Sequence, residues 1–269
     1  MVGVSSVEGE IDRIPVQPVV TSESRDRSGR WPRVLVGLLG AWLGLSTAAV
    51  TAVALLSGRP VMRAVVLMGL GLILLWVVAA GGFMWLQRDR IRVAVLSIPI
   101  GWKLRFVLFA TLLALIEEAI TTTMTNLAPF FGVALGRAYI TASTNYLDVV
   151  GLHSVIVFVP MFIAWSWLLQ RYAFSPSVVF LLFGLTGTLA EASLGPQHLA
   201  EIGLWTFVYG LMVYLPAYSI PSDRGARKPS LYHYLWAVVL PFLFAMPVAA
   251  VVGVLHPIRI HFPPIAPDT

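Results

Sequence analysis

The stretch LRFVLFATLLALIEEAITTTM, residues 104–124, decides the fold because it is long and apolar enough to cross a bilayer as one helix. Two adjacent acids, Glu117 and Glu118, interrupt it. A charged side chain at the centre of a membrane helix costs at least about 2.5 kcal/mol. Such carboxylates must be neutralised, paired, metal-bound or wetted, so the pair marks a candidate site.

Composition extends the membrane assignment to the whole chain. Of the 269 residues, 58% are hydrophobic and 12% are charged, and the mean hydropathy is +0.84. These values are typical of integral membrane proteins and exclude a soluble globule. The chain has no cysteine, which excludes disulfides and thiolate metal ligands.

Apolar runs of about twenty residues predict an all-α helix bundle with about seven transmembrane helices. The runs are 34–56, 62–86, 104–124, 150–170, 177–194, 200–220 and 232–254. The run 177–194 is rich in small residues and is expected to pack closely inside the bundle. The membrane domain, 34–255, follows a polar tail at 1–33 that is expected to be disordered, and precedes a short tail at 256–269.

The basic residues predict the orientation of the bundle. With the N-terminus in the cytoplasm, 14 of the 18 Lys and Arg residues lie on the cytoplasmic side, and the C-terminus lies outside. The net charge of +5 then favours anionic lipid headgroups and requires no nucleic-acid partner. We expect a multi-pass protein of the cell membrane whose substrate, a small molecule, a lipid or a peptide, is not identified by the sequence.

The polar residues of the spans collect in the predicted outer half. At about 1.5 Å per residue, Glu118 lies roughly 20 Å above the cytoplasmic end of its helix, and Glu191 reaches a similar height. We expect both to line a water-accessible pocket, with Glu117 either behind Glu118 or flanking a wider polar face. The other expected members are His153, His198 and Glu201, with Asn126, Asn145 and Thr122 as supporting residues.

Three functions are compatible with such a pocket. In a metal-dependent hydrolase, Glu191, His198 and Glu201 would bind a divalent metal such as zinc, and Glu118 would act as general base. In a proton- or cation-coupled transporter, Glu118 and Glu191 would be the coupling pair. The third is a non-catalytic scaffold or sensor with a polar plug.

The outer segments carry weaker signals. The segment PFFGVALGRAYITA, 129–142, is apolar enough to be re-entrant or to lie flat as a lid over the acidic pocket. Asp148 is interpreted as a solvated loop residue. His256 and His261 belong to a Pro-rich tail, where the indication of metal binding is weak.

The order of the acids and histidines resembles that of the intramembrane proteases related to CAAX prenyl endopeptidases. Two adjacent glutamates, Glu117 and Glu118, are followed by His153 on the next helix and by His198 two helices further on. The resemblance implies that a glutamate activates water and that the histidines, with a nearby Asn or Asp, support attack on a peptide carbonyl. Glu117, Glu118 and His153 would then be catalytic.

The chain departs from the pattern of that family at three positions. The arginine four residues after the second glutamate is Thr122 here, and the phenylalanine four residues before the first histidine is Val149. Ile202 occupies the position four residues after the second histidine. The family's site also generally opens toward the cytoplasm, whereas this one is predicted on the outer side.

Overall fold

The computed structural model describes residues 30–258 and 260–262, and this part of the chain is all-α, without strands. The predicted polar tail lies outside the described residues up to position 29, and the first helix already begins at Arg30. Of the predicted C-terminal tail, only 256–258 and 260–262 are described.

Eight helices form the described bundle, one of them composed of α2, a π-helical segment and α3. Their bounds are α1 Arg30–Leu56, α2 Pro60–Leu72, the π-helical segment Ile73–Ala80, α3 Gly81–Ser97, α4 Trp102–Asn126, α5 Tyr146–Leu152, α6 Val155–Arg171, α7 Pro176–Ala192, α8 Ile202–Tyr218 and α9 Leu231–Leu255. A 3₁₀ turn, Pro196–Leu199, connects α7 to α8.

Several of the helices have the length and composition of membrane spans. Arg30–Leu56, the continuous Pro60–Ser97 and Leu231–Leu255 are each long and apolar enough to cross a membrane, and the bent pair α5–α6 counts as a fourth candidate. Helices α7 and α8 are shorter apolar helices of 17 residues each. Large apolar side chains are exposed along α1, α2, α3 and α9, as expected of surfaces that face lipid.

The structure modifies one predicted span. The run 150–170 is not one helix, because the chain bends by 43° between α5 and α6 at His153 and Ser154. The seven predicted runs otherwise coincide with helices, with boundaries shifted by several residues. The break lies near the start of this predicted apolar run, and its two polar residues, His153 and Ser154, belong to neither helix.

Close backbone contact between α7 and α8 confirms the prediction for the run 177–194. A Cβ atom on Gly184 would lie 2.6 Å from the carbonyl oxygen of Thr206. On α8, a Cβ atom on Gly210 would lie 2.6 Å from the ring of Phe180. Only glycine permits this approach, so the small residues set the spacing of the two helices.

The π-helical segment also packs against α8. Trp76, fully buried, donates a hydrogen bond from Nε1 to the carbonyl oxygen of Val208 at 3.0 Å. π-Helical segments within α-helices occur frequently at functional sites. Here the segment fixes α8 at the residue that precedes Tyr209.

The outer loop between α4 and α5 is a series of turns that pack on the helix ends. Ala128 and Ala138 are buried in a small apolar cluster with Ala64, Met68 and Met124. The loop thus caps the start of α2 and the end of α4. Whether 129–142 is re-entrant or lies on the membrane surface stays a prediction.

Candidate functional site

The acid pair of α4 is buried in the bundle. Glu117 and Glu118 are 4% and 7% exposed. Thr121 Oγ1 lies 3.4 Å from Glu118 Oε2 and donates to it, and Ser154, in the break before α6, also interacts with Glu118. Both acids are therefore inside the protein, and whether Glu117 lies behind Glu118 or flanks a wider polar face stays a prediction.

A third carboxylate joins the pair from α7. Glu191 interacts electrostatically with both Glu117 and Glu118. Tyr209 of α8 donates a hydrogen bond to Glu191 Oε1 and also interacts electrostatically with the acid pair. We call these four residues the acid cluster. The two acids of α4 and Glu191 thus interact electrostatically, while a shared pocket and the role of its residues stay predictions.

Gly187 leaves the space that the Tyr209 ring occupies beside the acid cluster. The tyrosine ring lies directly over Gly187, where a Cβ atom would be 2.0 Å from Cδ2 of the ring. Tyr209 is 9% exposed, and its aromatic neighbours include Phe158 and Phe183. Sequence analysis missed Tyr209. The available signal was its position four residues after Trp205 and eight after Glu201, on the polar face of α8.

The outer rim of this site is more exposed. Glu201 Oε2 accepts a hydrogen bond from Trp205 Nε1 at 2.9 Å and lies 2.9 Å from His198 Nδ1. Glu191 interacts electrostatically with both His198 and Glu201. The predicted metal ligands are therefore neighbours, and metal binding by Glu191, His198 and Glu201 stays a prediction.

A different group of side chains has the spacing of a metal centre. Asp148 of α5, His153 in the break, His256 after α9 and His261 in the tail place one ligand atom each within 4.8 Å of all the others. Among the described residues, this is the group of three or more potential ligands that meets that distance. We call it the His/Asp centre; it could hold a metal ion.

Distances within the His/Asp centre are short. Asp148 Oδ2 lies 3.6 Å from His153 Nε2 and 3.3 Å from His261 Nδ1, and the two histidine nitrogens lie 3.3 Å apart. His256 Nε2 lies 4.0 Å from Asp148 Oδ1. The four side chains are between 13% and 30% exposed, so they remain within reach of an ion from the surface.

The structure places His153 and His198 in different groups. His153 contacts Asp148 and the tail histidines, whereas His198 contacts Glu201 and Trp205. Their contacts therefore do not pair the two histidines around Glu118 in the way that the protease resemblance implies. Ser154, which directly follows His153 in the chain, interacts with Glu118.

The supporting residues have local structural contacts. Asn126 Nδ2 donates to the carbonyl oxygen of Thr144 at 3.0 Å, and Asn145 caps α5 by accepting from the Leu147 amide at 3.0 Å. Thr122 is buried, and its hydroxyl has no hydrogen-bond partner among the described residues. The two asparagines thus shape the outer loop that leads into α5.

No protein-family model, curated protein or solved structure significantly matches this chain. The functional argument consequently depends on the two polar groups and on their position in the bundle.

Proposed function

We propose that the protein is a multi-pass membrane transporter that couples movement of a small molecule to proton binding at the acid cluster. One observation carries this proposal: Glu191 of α7 interacts electrostatically with Glu117 and Glu118 of α4, and the acid pair is buried in an apolar bundle. Buried ionisable residues of this kind form proton relays in membrane pumps and transporters.

Protons are the simplest occupants of this site. Three buried or half-buried carboxylates that interact in a medium of low dielectric cannot all remain ionised without a counter-charge. The electrostatic partners of Glu117 are the other two acids. The acids are not among the described groups with metal-ligand spacing, whereas sharing of protons requires only pairwise contacts.

A chain of polar groups connects the acid cluster to the outer rim. Glu201 is exposed and interacts with Glu191, which accepts the hydrogen bond of Tyr209. Tyr209 in turn interacts with the acid pair of α4. We propose that protons enter from this rim and reach Glu118 through Glu191 and Tyr209.

The proposed topology has seven crossings, with the N-terminus in the cytoplasm and the His/Asp centre on the outer side of the cell membrane. Its support is the coincidence of the predicted runs with helices and the bias of Lys and Arg toward one side. In this arrangement, the acid cluster lies in the outer half of the bundle.

Infrared difference spectroscopy on membrane-reconstituted protein tests proton binding without knowledge of the transported molecule. We expect a protonated-carboxyl band that disappears or shifts in Glu118→Gln and in Glu191→Gln. Asp223→Asn, which removes an exposed acid between α8 and α9, is the matched control and should leave that band in place. A spectrum without a protonated-carboxyl band from these residues would contradict the proposal.

Coupling is then tested in proteoliposomes with an internal pH indicator. A panel of small amines, acids and neutral solutes is added outside, and a transported solute should change the internal pH. Glu118→Gln should abolish this change while retaining membrane insertion and a folded elution profile. If the wild-type protein carries a solute into the proteoliposomes and the internal pH does not change, proton coupling is excluded.

A hydrolase is the second candidate function, and a specific contact favours it. Glu118 interacts with Ser154, the residue directly after His153 of the His/Asp centre. Glu118 would then act as the general base for water attack, the role that the protease resemblance implies. Cleavage of membrane-anchored peptide substrates that is lost in Glu118→Gln would support this function, and absence of cleavage together with coupled transport would exclude it.

A further inference from the structure

The atoms of the His/Asp centre lie where tetrahedral ligands lie. Zinc bonds to imidazole nitrogen and carboxylate oxygen are about 2.0–2.2 Å long, so the ligand atoms of a tetrahedral site are about 3.3–3.6 Å apart. The distances joining Asp148 Oδ2, His153 Nε2 and His261 Nδ1 are 3.3, 3.3 and 3.6 Å. These three atoms therefore form one face of such a tetrahedron.

The fourth vertex is available to His256. Its Nε2 lies 4.0 Å from Asp148 Oδ1, and its ring centroid is 4.5 Å from that of His261. The His256 Nδ1 atom is buried and has no hydrogen-bond partner among the described residues. Hydrogen bonding through Nδ1 therefore does not explain the orientation of this ring, whereas coordination through Nε2 does.

The set of ligands selects the class of ion. Imidazole ligands suit zinc, copper, iron and nickel, whereas magnesium and calcium prefer oxygen ligands. Three neutral imidazoles and one carboxylate leave one positive charge on a divalent ion at this half-exposed site. Zinc, which accepts tetrahedral nitrogen and oxygen ligands without geometric strain, fits best.

The four ligands come from segments that are distant in sequence. Asp148 and His153 flank the bend between α5 and α6, while His256 and His261 follow α9. The tail has two further contacts with the outer loop: the His261 amide donates to the Ala142 carbonyl at 2.7 Å, and Phe262 stacks on Tyr139 at 4.6 Å. A bound ion would join these segments at one point.

We propose that Asp148, His153, His256 and His261 bind one zinc ion, which fastens the segment after α9 to α5 and to the bend between α5 and α6. This site is separate from the proton-binding function proposed above, because its ligands do not include the acid cluster. Zinc binding also adds free energy to whichever arrangement of the tail holds the ligands together.

The experiment uses the full chain, purified in detergent, stripped with a chelator and titrated with zinc alone. Mass spectrometry should count one zinc per chain after desalting, and competition with a chromophoric zinc indicator should give a saturable affinity. His261→Ala and His256→Ala should each weaken that affinity at least about tenfold, since each removes one of four ligands. His233→Ala, a histidine on the first turn of α9 outside this centre, is the matched control and should bind as the wild type does.

Hydrogen exchange tests the fastening independently of any variant. Zinc should slow amide exchange in 139–143 and 256–262, which include the His261 amide, and leave exchange in the α7–α8 pair unchanged. Absence of saturable zinc binding in the wild type would overturn the proposal. Zinc binding that survives His261→Ala and is lost in His198→Ala would also overturn it, because the ion would then belong to Glu191, His198 and Glu201.

Discussion

The acid cluster and the His/Asp centre are both groups of polar side chains, but they are assembled in different ways. The acid cluster is carried by long helices, and glycines at the α7–α8 contact position its tyrosine. The His/Asp centre lies where helices end or bend, and two of its four members come from the tail. Helix packing thus holds the acid cluster in place, whereas few contacts other than those to a bound ligand hold the His/Asp centre in place.

This difference teaches where each group obtains its stability. Buried helix contacts keep the acid cluster together despite the cost of enclosing carboxylates. The His/Asp centre, in contrast, depends on an ion that binds its four side chains when they are brought together in the folded protein. Perturbing one group should therefore leave the other largely intact, and the following predictions test that separation.

Removal of zinc should have the largest effect. At a free zinc concentration a hundredfold above the Kd, binding stabilises the protein by about 2.7 kcal/mol. Chelation should lower the free energy of unfolding of the wild type by this amount, as measured by thermal unfolding with and without zinc. His261→Ala, whose affinity is at least about tenfold weaker, should keep at most about half of this response.

The zinc-dependent stabilisation should also depend on pH. Imidazole binds a metal in its neutral form, so acidification makes protons compete with zinc for the histidines. The stabilisation should therefore be present at mildly alkaline pH and decline as the pH falls. Thermal unfolding at several pH values, with zinc and with chelator, measures this difference. A zinc effect that grew on acidification would contradict ligation by the histidines.

Gly187→Ala should perturb the acid cluster without changing the outer centre. The added Cβ atom would overlap the ring of Tyr209, so we expect a loss of about 1–3 kcal/mol in the free energy of unfolding. Thermal unfolding measures the loss, and zinc affinity should stay at the wild-type value. Gly44→Ala on α1, where no atom lies within 4 Å of the added Cβ, is the matched control. It should be neutral or slightly stabilising.

Tyr209→Phe should have a smaller effect on stability and a specific effect on protons. The variant keeps the ring but leaves Glu191 without its hydroxyl donor, at a cost of about 1–2 kcal/mol. In the infrared experiment, the carboxyl band of Glu191 should shift while that of an exposed acid does not. An unchanged carboxyl spectrum would mean that Tyr209 does not control the protonation of Glu191.

Trp76→Phe should be the mildest of these changes. It removes the hydrogen bond from Nε1 to Val208 but preserves an aromatic ring in the π-helical segment, so we expect a loss of about 0.5–1.5 kcal/mol. Trp42→Phe, which removes an exposed indole hydrogen bond to Ala200, is the control and should cost less. Thermal unfolding of the two variants measures the difference.

The helices and part of the acid cluster could be predicted from the sequence because the relevant information is local. Apolar length located the helices, and a common depth related Glu118 to Glu191. Tyr209 escaped prediction because its spacing from Glu201 and Trp205 on one face of α8 is also that of ordinary aromatic packing. Its place depends on Gly187, a residue on another helix.

The His/Asp centre could not be predicted because its geometry is not local. His153 and His261 are separated by 108 positions, and a bend inside a predicted apolar run aims His153 at the tail. Asp148 was interpreted as a solvated loop residue, yet its carboxylate lies between three histidines. Only the three-dimensional arrangement of α5, the bend before α6 and the segment after α9 brings these residues together.

A double-mutant cycle between Glu118 and Glu191 tests most directly whether the acids of α4 and α7 form one site. The free energy of unfolding in a lipid bilayer is measured for Glu118→Gln, Glu191→Gln and the double variant, with Glu118 and the exposed Asp223 as the control pair. We predict a coupling energy of at least about 0.5 kcal/mol between Glu118 and Glu191, because residues in one electrostatic network are not additive. Additive effects within about 0.3 kcal/mol would show that the two acids act independently and would contradict a shared proton site.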